Sequence, residues 1–308
     1  RKSCLFFKEM HCSFFFCCTF SFWLFIKKGR KAKNIIILAT SKRSIKVYQK
    51  LLIKVKEKNK DVNVLFISIG GELAKHHNKD SFIKSNFNLF DYVFVQTEKI
   101  RSSFNRDNID NILILKNYKK MDPVTNLPTK FQKPYKLVLL SRITEDKGVF
   151  ILIDSVKKVN DSLGEIAFSL DLYGPIDKSI KRQLRKQIKE NSFIKYKGIV
   201  AFNSTAHVLK EYFALCFISA YKGEGFPGTF VDSFYAGLPV IANNWGSNKE
   251  LIQDGFNGYI VKDETDFIKK LIEIYNNPNI ITSLRENCLM ESKKYTFSEV
   301  EVLFDKII

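Results

Sequence analysis

The sequence predicts an α/β protein built from two Rossmann-like domains with open parallel sheets. Three observations support this: short, continuously apolar runs of strand length, amphipathic or charged helical stretches between them, and a Pro-containing polar break near the middle of the 308 residues. Apolar runs without alternation fit strands covered on both faces, as parallel strands are. The first is 34–40, NIIILAT, followed by a basic amphipathic helix over 44–58. The next strand, 62–69, ends at Gly70-Gly71, and 75–87 is a mixed polar connection. His76 and His77 fall in that connection and read as solvated loop residues. A strand over 91–96, a short helix over 99–107 and a strand over 112–115 complete the first domain. Residues 117–136 hold Pro123, Pro128 and Pro134 among polar side chains, so the boundary is placed to give domains of 34–132 and 133–308. In the second domain strands are expected over 137–141, 167–173, 193–197, 215–220 and 240–242. Helices are expected over 147–159, 178–190, 205–213, from Thr229 onward, 266–275 and 297–307.

Residues 1–33 do not fit the pattern. The stretch 12–26 is apolar and aromatic, but a spanning helix needs about 20 such residues, and His11, Glu9 and Lys8 precede it. No small-residue cleavage site precedes Lys27-Lys28. A membrane-surface segment, a buried helix of an incomplete domain, and an ill-defined chain start remain as readings, the last two preferred.

Formal charge is +18, from 50 Lys and Arg against 32 Asp and Glu. Nucleic acid, an anionic membrane face and phosphorylated substrates would each suit such a surface. No zinc-finger spacing, RNA-binding aromatic signature or dense basic stripe is present, which leaves nucleic acid as the weakest of the three. A Lys- and Asn-rich background composition accounts for the charge equally well. The six cysteines form no C-x-x-C pair and suggest neither a metal set nor a disulfide framework. The body of the chain is expected to be cytoplasmic.

Ligands of doubly wound sheets lie outside the carboxyl ends of the strands. Three groups of the second domain fall there. In Ser141–Gly148, SRITEDKG, Arg142 leaves a strand and Lys147 enters a helix. A cation at a helix start opposes the dipole at about 0.3–1 kcal/mol, a cost that a bound anion offsets. A guanidinium fork and an ammonium suit a diphosphate; a solvated pair neutralised by Glu145 or Asp146 is the plainer reading. Gly174 ends a strand where backbone approaches a ligand or merely turns, and 197–200, ending at Val200, can present backbone groups to a base edge. The third group begins at Glu224, with Asp232 eight residues later inside a helical run. A loop feeding a helix start binds anions through its free N–H groups, whereas carboxylates there accept hydrogen bonds from hydroxyls. Together they suggest a nucleotide-sugar pocket. Asp232 fits equally well a capping box with Thr229 as N-cap.

The R-x4-K-G of Arg142–Gly148, the E-G-F-P-G-T-x-x-D of Glu224–Asp232 and the A-G-L-P-V-I-A of Ala236–Ala242 together resemble the retaining glycosyltransferases of family 4, which have the GT-B fold. The resemblance is closer to bacterial enzymes of surface-polysaccharide assembly, through Trp245, Asn248 and Glu250, with Ser233 and Asn243 departing from the usual residues. Gly70-Gly71-Glu72-Leu73 is similar to their G-G-W-L. The resemblance implies two domains facing a cleft, a nucleotide-sugar donor and a saccharide or lipid-linked acceptor. It implies that Arg142 and Lys147 clamp the diphosphate, Glu224 contacts donor-sugar hydroxyls and Asp232 the ribose. It further implies that Phe226, Pro227, Gly228 and Thr229 offer backbone N–H groups to the donor. Gly70, Gly71, Asn248 and Glu250 fall to the acceptor side or cleft. No D-x-D occurs, in keeping with a family that needs no metal cofactor. Peripheral contact with the inner membrane face is compatible with the charge. The family's first strand and glycine loop are not found before Asn34, so the first domain is expected to be incomplete. A non-catalytic nucleotide-sugar-binding homologue and a nucleotide-sugar epimerase are the alternatives.

Overall fold

The computed structural model describes residues 4–8, 23–105, 110–128 and 130–307. The chain divides into two compact units, Arg1–Lys116 with Gly223–Phe226 and Phe304–Ile308, and Asn117–Lys222 with Pro227–Leu303.

The first unit is a five-stranded parallel sheet whose spatial order follows the sequence: β1 (Cys4–Lys8), β2 (Asn34–Ala39), β3 (Asn63–Ser68), β4 (Tyr92–Val95) and β5 (Ile112–Ile114). The sequence pattern predicts no strand before Asn34, yet β1 pairs with β2 from Cys4 opposite Asn34 to Lys8 opposite Leu38. Its apolar run between Cys4 and Lys8 is too short to show a period, so pattern alone does not mark it as a strand. The part of the apolar stretch at 12–26 up to residue 22 lies outside the described residues. Residues 23–29 form helix α1, whose Phe25 is buried with its ring 5.7 Å from that of Tyr48. Tyr48 belongs to α2 (Lys42–Lys56), which Ser41 caps by accepting from Ser44 N–H (3.1 Å). Helix α2 buries Ile45, Leu51, Leu52 and Val55 and turns Lys42, Lys50 and Lys54 outward.

The expected mixed connection is two short helices, α3 (Leu73–Lys79) and α4 (Ser81–Ser85). Asp80 separates them, caps α4 through Ile83 N–H and pairs with Lys42 and Lys46 at 2.9 and 2.7 Å. Those two ammonium groups hold its carboxyl well below the usual range. His77 is a core residue and not a solvated one: its ring lies 4.6 Å from Phe87 and 5.3 Å from Phe104. Helix α5 (Glu98–Ser102) is capped by Thr97.

The second unit holds β6 (Tyr135–Leu140), β7 (Phe168–Tyr173), β8 (Ile194–Gly198), β9 (Ala214–Phe217), β10 (Val240–Asn243) and β11 (Gly258–Val261). All pairs are parallel, in the order β11-β10-β9-β6-β7-β8. The chain winds outward from β6, then crosses to β9 and winds the other way. That reversal opens a crevice between the carboxyl ends of β6 and β9. The connections are α6 (Val149–Leu163), α7 (Lys181–Glu190), α8 (Thr205–Leu209), α9 (Gly228–Tyr235) and α10 (Asn248–Leu251). Helices α11 (Glu264–Asn276), α12 (Ile280–Ser292) and α13 (Phe297–Asp305) come after β11. Strand β11 and helix α12 are additions to the elements expected from the sequence. Within α12, Arg285 is fully buried and donates to the carbonyls of Tyr212 (2.8 Å) and Lys210 (2.6 Å), which polar patterning misplaces on the surface. The end of α13 belongs to the first unit, where Phe304 stacks on Phe94 at 5.3 Å.

Candidate functional site

At the switch point of the second sheet, β6 ends at Leu140 and the chain turns through Arg142 to a 3-10 turn over Glu145–Lys147. Gly148 ends the turn at φ +72° and begins α6. A Cβ there would sit 1.8 Å from the carbonyl oxygen of Ile218, so only glycine lets this loop lie against the segment after β9. Ala220 N–H donates to Asp146 O at 2.7 Å and ties the two segments together. The Asp146 carboxylate takes the Thr144 hydroxyl. Arg142 is exposed, whereas Lys147 is buried with Nζ 4.8 Å from the Tyr221 ring and 5.4 Å from the Phe217 ring. The Arg142 guanidinium lies 5.5 Å from the same Tyr221 ring. One aromatic ring thus lies near both cations at the carboxyl end of the sheet.

The Tyr221 segment is braced from behind. Ser219 N–H donates to Asn243 Oδ1 (3.1 Å), Asn243 Nδ2 donates to Ser219 O (2.8 Å), and Trp245 Nε1 donates to Tyr221 O (2.7 Å). Asn248, expected on the acceptor side, is fully buried and donates Nδ2 to Asn243 O at 2.9 Å, so it serves this brace. Glu250 is exposed on α10. Gly174 packs against Ser141, where a Cβ would lie 1.8 Å from Ser141 O, and its N–H donates to Gly198 O at 2.8 Å. Val200 is half-buried two residues beyond β8.

Helix α9 begins at Gly228 with Pro227 as N-cap and no side-chain cap, so the expected capping box is absent. Thr229 lies inside the helix, and its Oγ1 is buried without a hydrogen-bond partner. Pro227 has no N–H to offer a donor, and Phe226 N–H goes to Gln96 (3.4 Å). The first-turn amides of Gly228 and Thr229 are the ones a helix leaves without intrahelical partners. Asp232 instead forms an ion pair with Lys119, whose side chain is 5% exposed. Burial pushes the Asp232 carboxyl up and Lys119 opposes that rise. On its other side Lys119 Nζ lies 3.7 Å from the Phe202 ring centroid. The sequence does not single out Lys119, because one lysine in a polar linker resembles its neighbours Lys116 and Lys120.

Glu224 sits in the first unit. Its loop, Gly223–Phe226, rests on the turn after β3, where Gly71 N–H donates to Gly223 O at 3.3 Å. A Cβ on Gly71 would approach Glu224 O to 2.4 Å, which explains the paired glycines. Gln96, at the end of β4, accepts through Oε1 from both Gly70 N–H (3.1 Å) and Phe226 N–H. Gly70 and Gly71, expected to line an acceptor cleft, form the seat of the Glu224 loop.

Among the described residues no group of three or more His, Cys, Asp or Glu side chains is placed to hold a metal ion. No helix among them is long and apolar enough to cross a membrane. Cys216 and Cys288 are buried, and burial pushes both thiols up, so neither is a ready nucleophile.

Residues 134–277 match the family model described as Glycosyl transferases group 1. The GtfA subunit of UDP-N-acetylglucosamine–peptide N-acetylglucosaminyltransferase from Streptococcus pneumoniae is 23% identical over 248 residues, 75% of this chain and 47% of that protein. Alpha-monoglucosyldiacylglycerol synthase of Acholeplasma laidlawii is 28% identical over 159 residues, 51% and 39% of the two chains. The chain spans about half the length of the curated relatives it matches. Among solved structures, Anabaena HepE in complex with UDP superposes with a TM-score of 0.73 at 14% identity, over 92% of this chain and 80% of that one. TarM of S. aureus gives 0.69 at 19% identity, over 94% and 57%. The fold is that of the GT-B glycosyltransferases, as the sequence predicts.

Proposed function

We propose that this chain, with its GT-B fold, transfers a sugar from a nucleotide-sugar donor to a saccharide or lipid-linked saccharide acceptor. In this reading it is a family 4 enzyme of surface-polysaccharide assembly, transfer retains the anomeric configuration, and no metal is required. The observation that supports it best is the convergence of Arg142 and Lys147 on Tyr221 at the switch point of the second sheet, inside the stretch that matches the glycosyltransferase family. Solved neighbours binding UDP favour a uridine carrier.

As the bond between the anomeric carbon and the β-phosphate oxygen breaks, negative charge builds on that phosphate. Arg142 and Lys147 stabilise it, and the burial of Lys147 raises the worth of its charge. The acceptor hydroxyl attacks from the face the phosphate leaves, and a phosphate oxygen takes its proton. Glu224 accepts from sugar hydroxyls and Asp232 from the ribose, so neither forms a covalent bond. The basic outer face of α2, with Lys42, Arg43, Lys46 and Lys50, would meet an anionic inner membrane leaflet where a lipid-linked acceptor lies.

Incubation with UDP- and GDP-sugars and acceptor extracts should release nucleotide only when donor and acceptor are both present. Glu224→Ala should lower that rate by about a hundredfold, the scale of one lost transition-state hydrogen bond to charge. Wild-type protein that binds no nucleoside diphosphate by calorimetry would sink the reading, and donor conversion without acceptor would favour an epimerase. Gln96 makes a second, sharper test, since it touches no substrate. Gln96→Ala removes an acceptor shared by two loop amides and should cost about 2 kcal/mol in kcat/KM, roughly thirtyfold. The melting temperature should fall by a few degrees, because two amides lose their acceptor, and Gln96→Glu, which keeps an oxygen there, should recover most of the rate. Equal rates in Gln96→Ala and wild type would remove the positioning role.

A further inference from the structure

Among the described residues, the two most exposed large apolar side chains are Ile199 at 72% and Phe202 at 65%. They share one loop, directly after β8, at the carboxyl edge of the sheet where ligands of this topology bind. Large apolar side chains held together in water are costly unless something covers them. Phe202 is not simply loose: the Lys119 ammonium covers one face of its ring at 3.7 Å. With one face covered and most of the residue still exposed, the opposite face is open. The same ammonium is bound to Asp232, so ring and carboxylate are tied through one nitrogen.

We propose that Phe202 is the stacking platform for the donor's nucleobase, and that Lys119 positions it relative to the acid that holds the ribose. The inference rests on the nucleotide-sugar reading above and deepens it. A base and its ribose are joined by a single bond. Phe202 and Asp232 share one ammonium, so a base stacked on that ring would lie in the same part of the carboxyl edge as the acid assigned to its ribose. Every base has a π face, so stacking supplies affinity, while the backbone of the 197–200 segment is left to read the base edge. Ile199 then lines the platform's rim. Lys119 also opposes the rise that burial imposes on the Asp232 carboxyl, the acid assigned to the ribose hydroxyls.

The test compares UDP with pyrophosphate, which has no base, on the full chain by calorimetry. Phe202→Ala should weaken UDP by about tenfold to a hundredfold and leave pyrophosphate unchanged. Phe202→Trp should bind UDP as wild type does, with its added indole emission quenched on binding. Lys119→Met should weaken UDP and not pyrophosphate, and Lys119→Arg should recover it. Unchanged UDP affinity in Phe202→Ala overturns the proposal, as does an equal loss for pyrophosphate. A change of oligomeric state in Phe202→Ala with normal UDP affinity overturns it too, in favour of a contact between copies. Wild type that fails to bind UDP overturns the transferase reading first, and this one with it.

Discussion

Replacing Lys147 with alanine should lower kcat/KM by about a hundredfold to a thousandfold, roughly 3–4 kcal/mol of transition-state stabilisation. The side chain is 8% exposed and its ammonium is held between the Tyr221 and Phe217 rings, so little water is left to screen it. The charge it meets grows as the donor bond breaks, so kcat should fall more than donor affinity does. Lys147→Arg keeps the charge but brings a planar fork into a space filled by a compact ammonium, and should recover only part of the rate. The melting temperature should barely move, because removing a buried cation relieves a desolvation cost as it loses ring contacts. Initial rates against donor concentration and a thermal scan check both halves. A Lys147→Ala enzyme within threefold of wild type would show that the switch-point cations do not act on the leaving group.

Gly148→Ala, one residue on, should instead unfold the site. The backbone at φ +72° disfavours any side chain by about 1–2 kcal/mol. The added carbon would also sit 1.8 Å from Ile218 O, and this neighbour is backbone that cannot swing away. Overpacking of that kind adds about 1–3 kcal/mol. A fall in melting temperature of roughly 5–15 °C should result, together with loss of UDP binding, since Lys147 and the start of α6 must move with the glycine. Normal UDP affinity and an unchanged melting temperature would contradict the close packing of the two loops.

The second sheet is legible in the sequence because its strands are uniform apolar runs separated by helices, and because loop glycines mark the carboxyl ends. Arg142 and Lys147 stand out for the same reason: they flank the first strand–helix junction of that sheet. Lys119 and Phe202 do not. Each meets a partner distant in sequence, Lys119 at Asp232 and Phe202 at Lys119, and nothing local distinguishes them. Strand β11 escapes because four residues after a glycine-bearing turn are too few to show a period. The capping box fails because Pro227, with its fixed φ, already begins the helix at Gly228, one residue before the expected N-cap. Asn248 matches a family pattern, but its burial under Asn243 shows how a motif position can brace a loop without facing a ligand.

The Glu224 tetrapeptide lies late in the chain and yet folds with the first unit. A chimaera spliced between Lys116 and Asn117 would therefore inherit Glu224 from one parent and the cradle of its loop from the other. Swapping halves between relatives to change donor preference requires Gly70, Gly71 and Gln96 to travel with the later half, or the graft will place Glu224 over a mismatched floor.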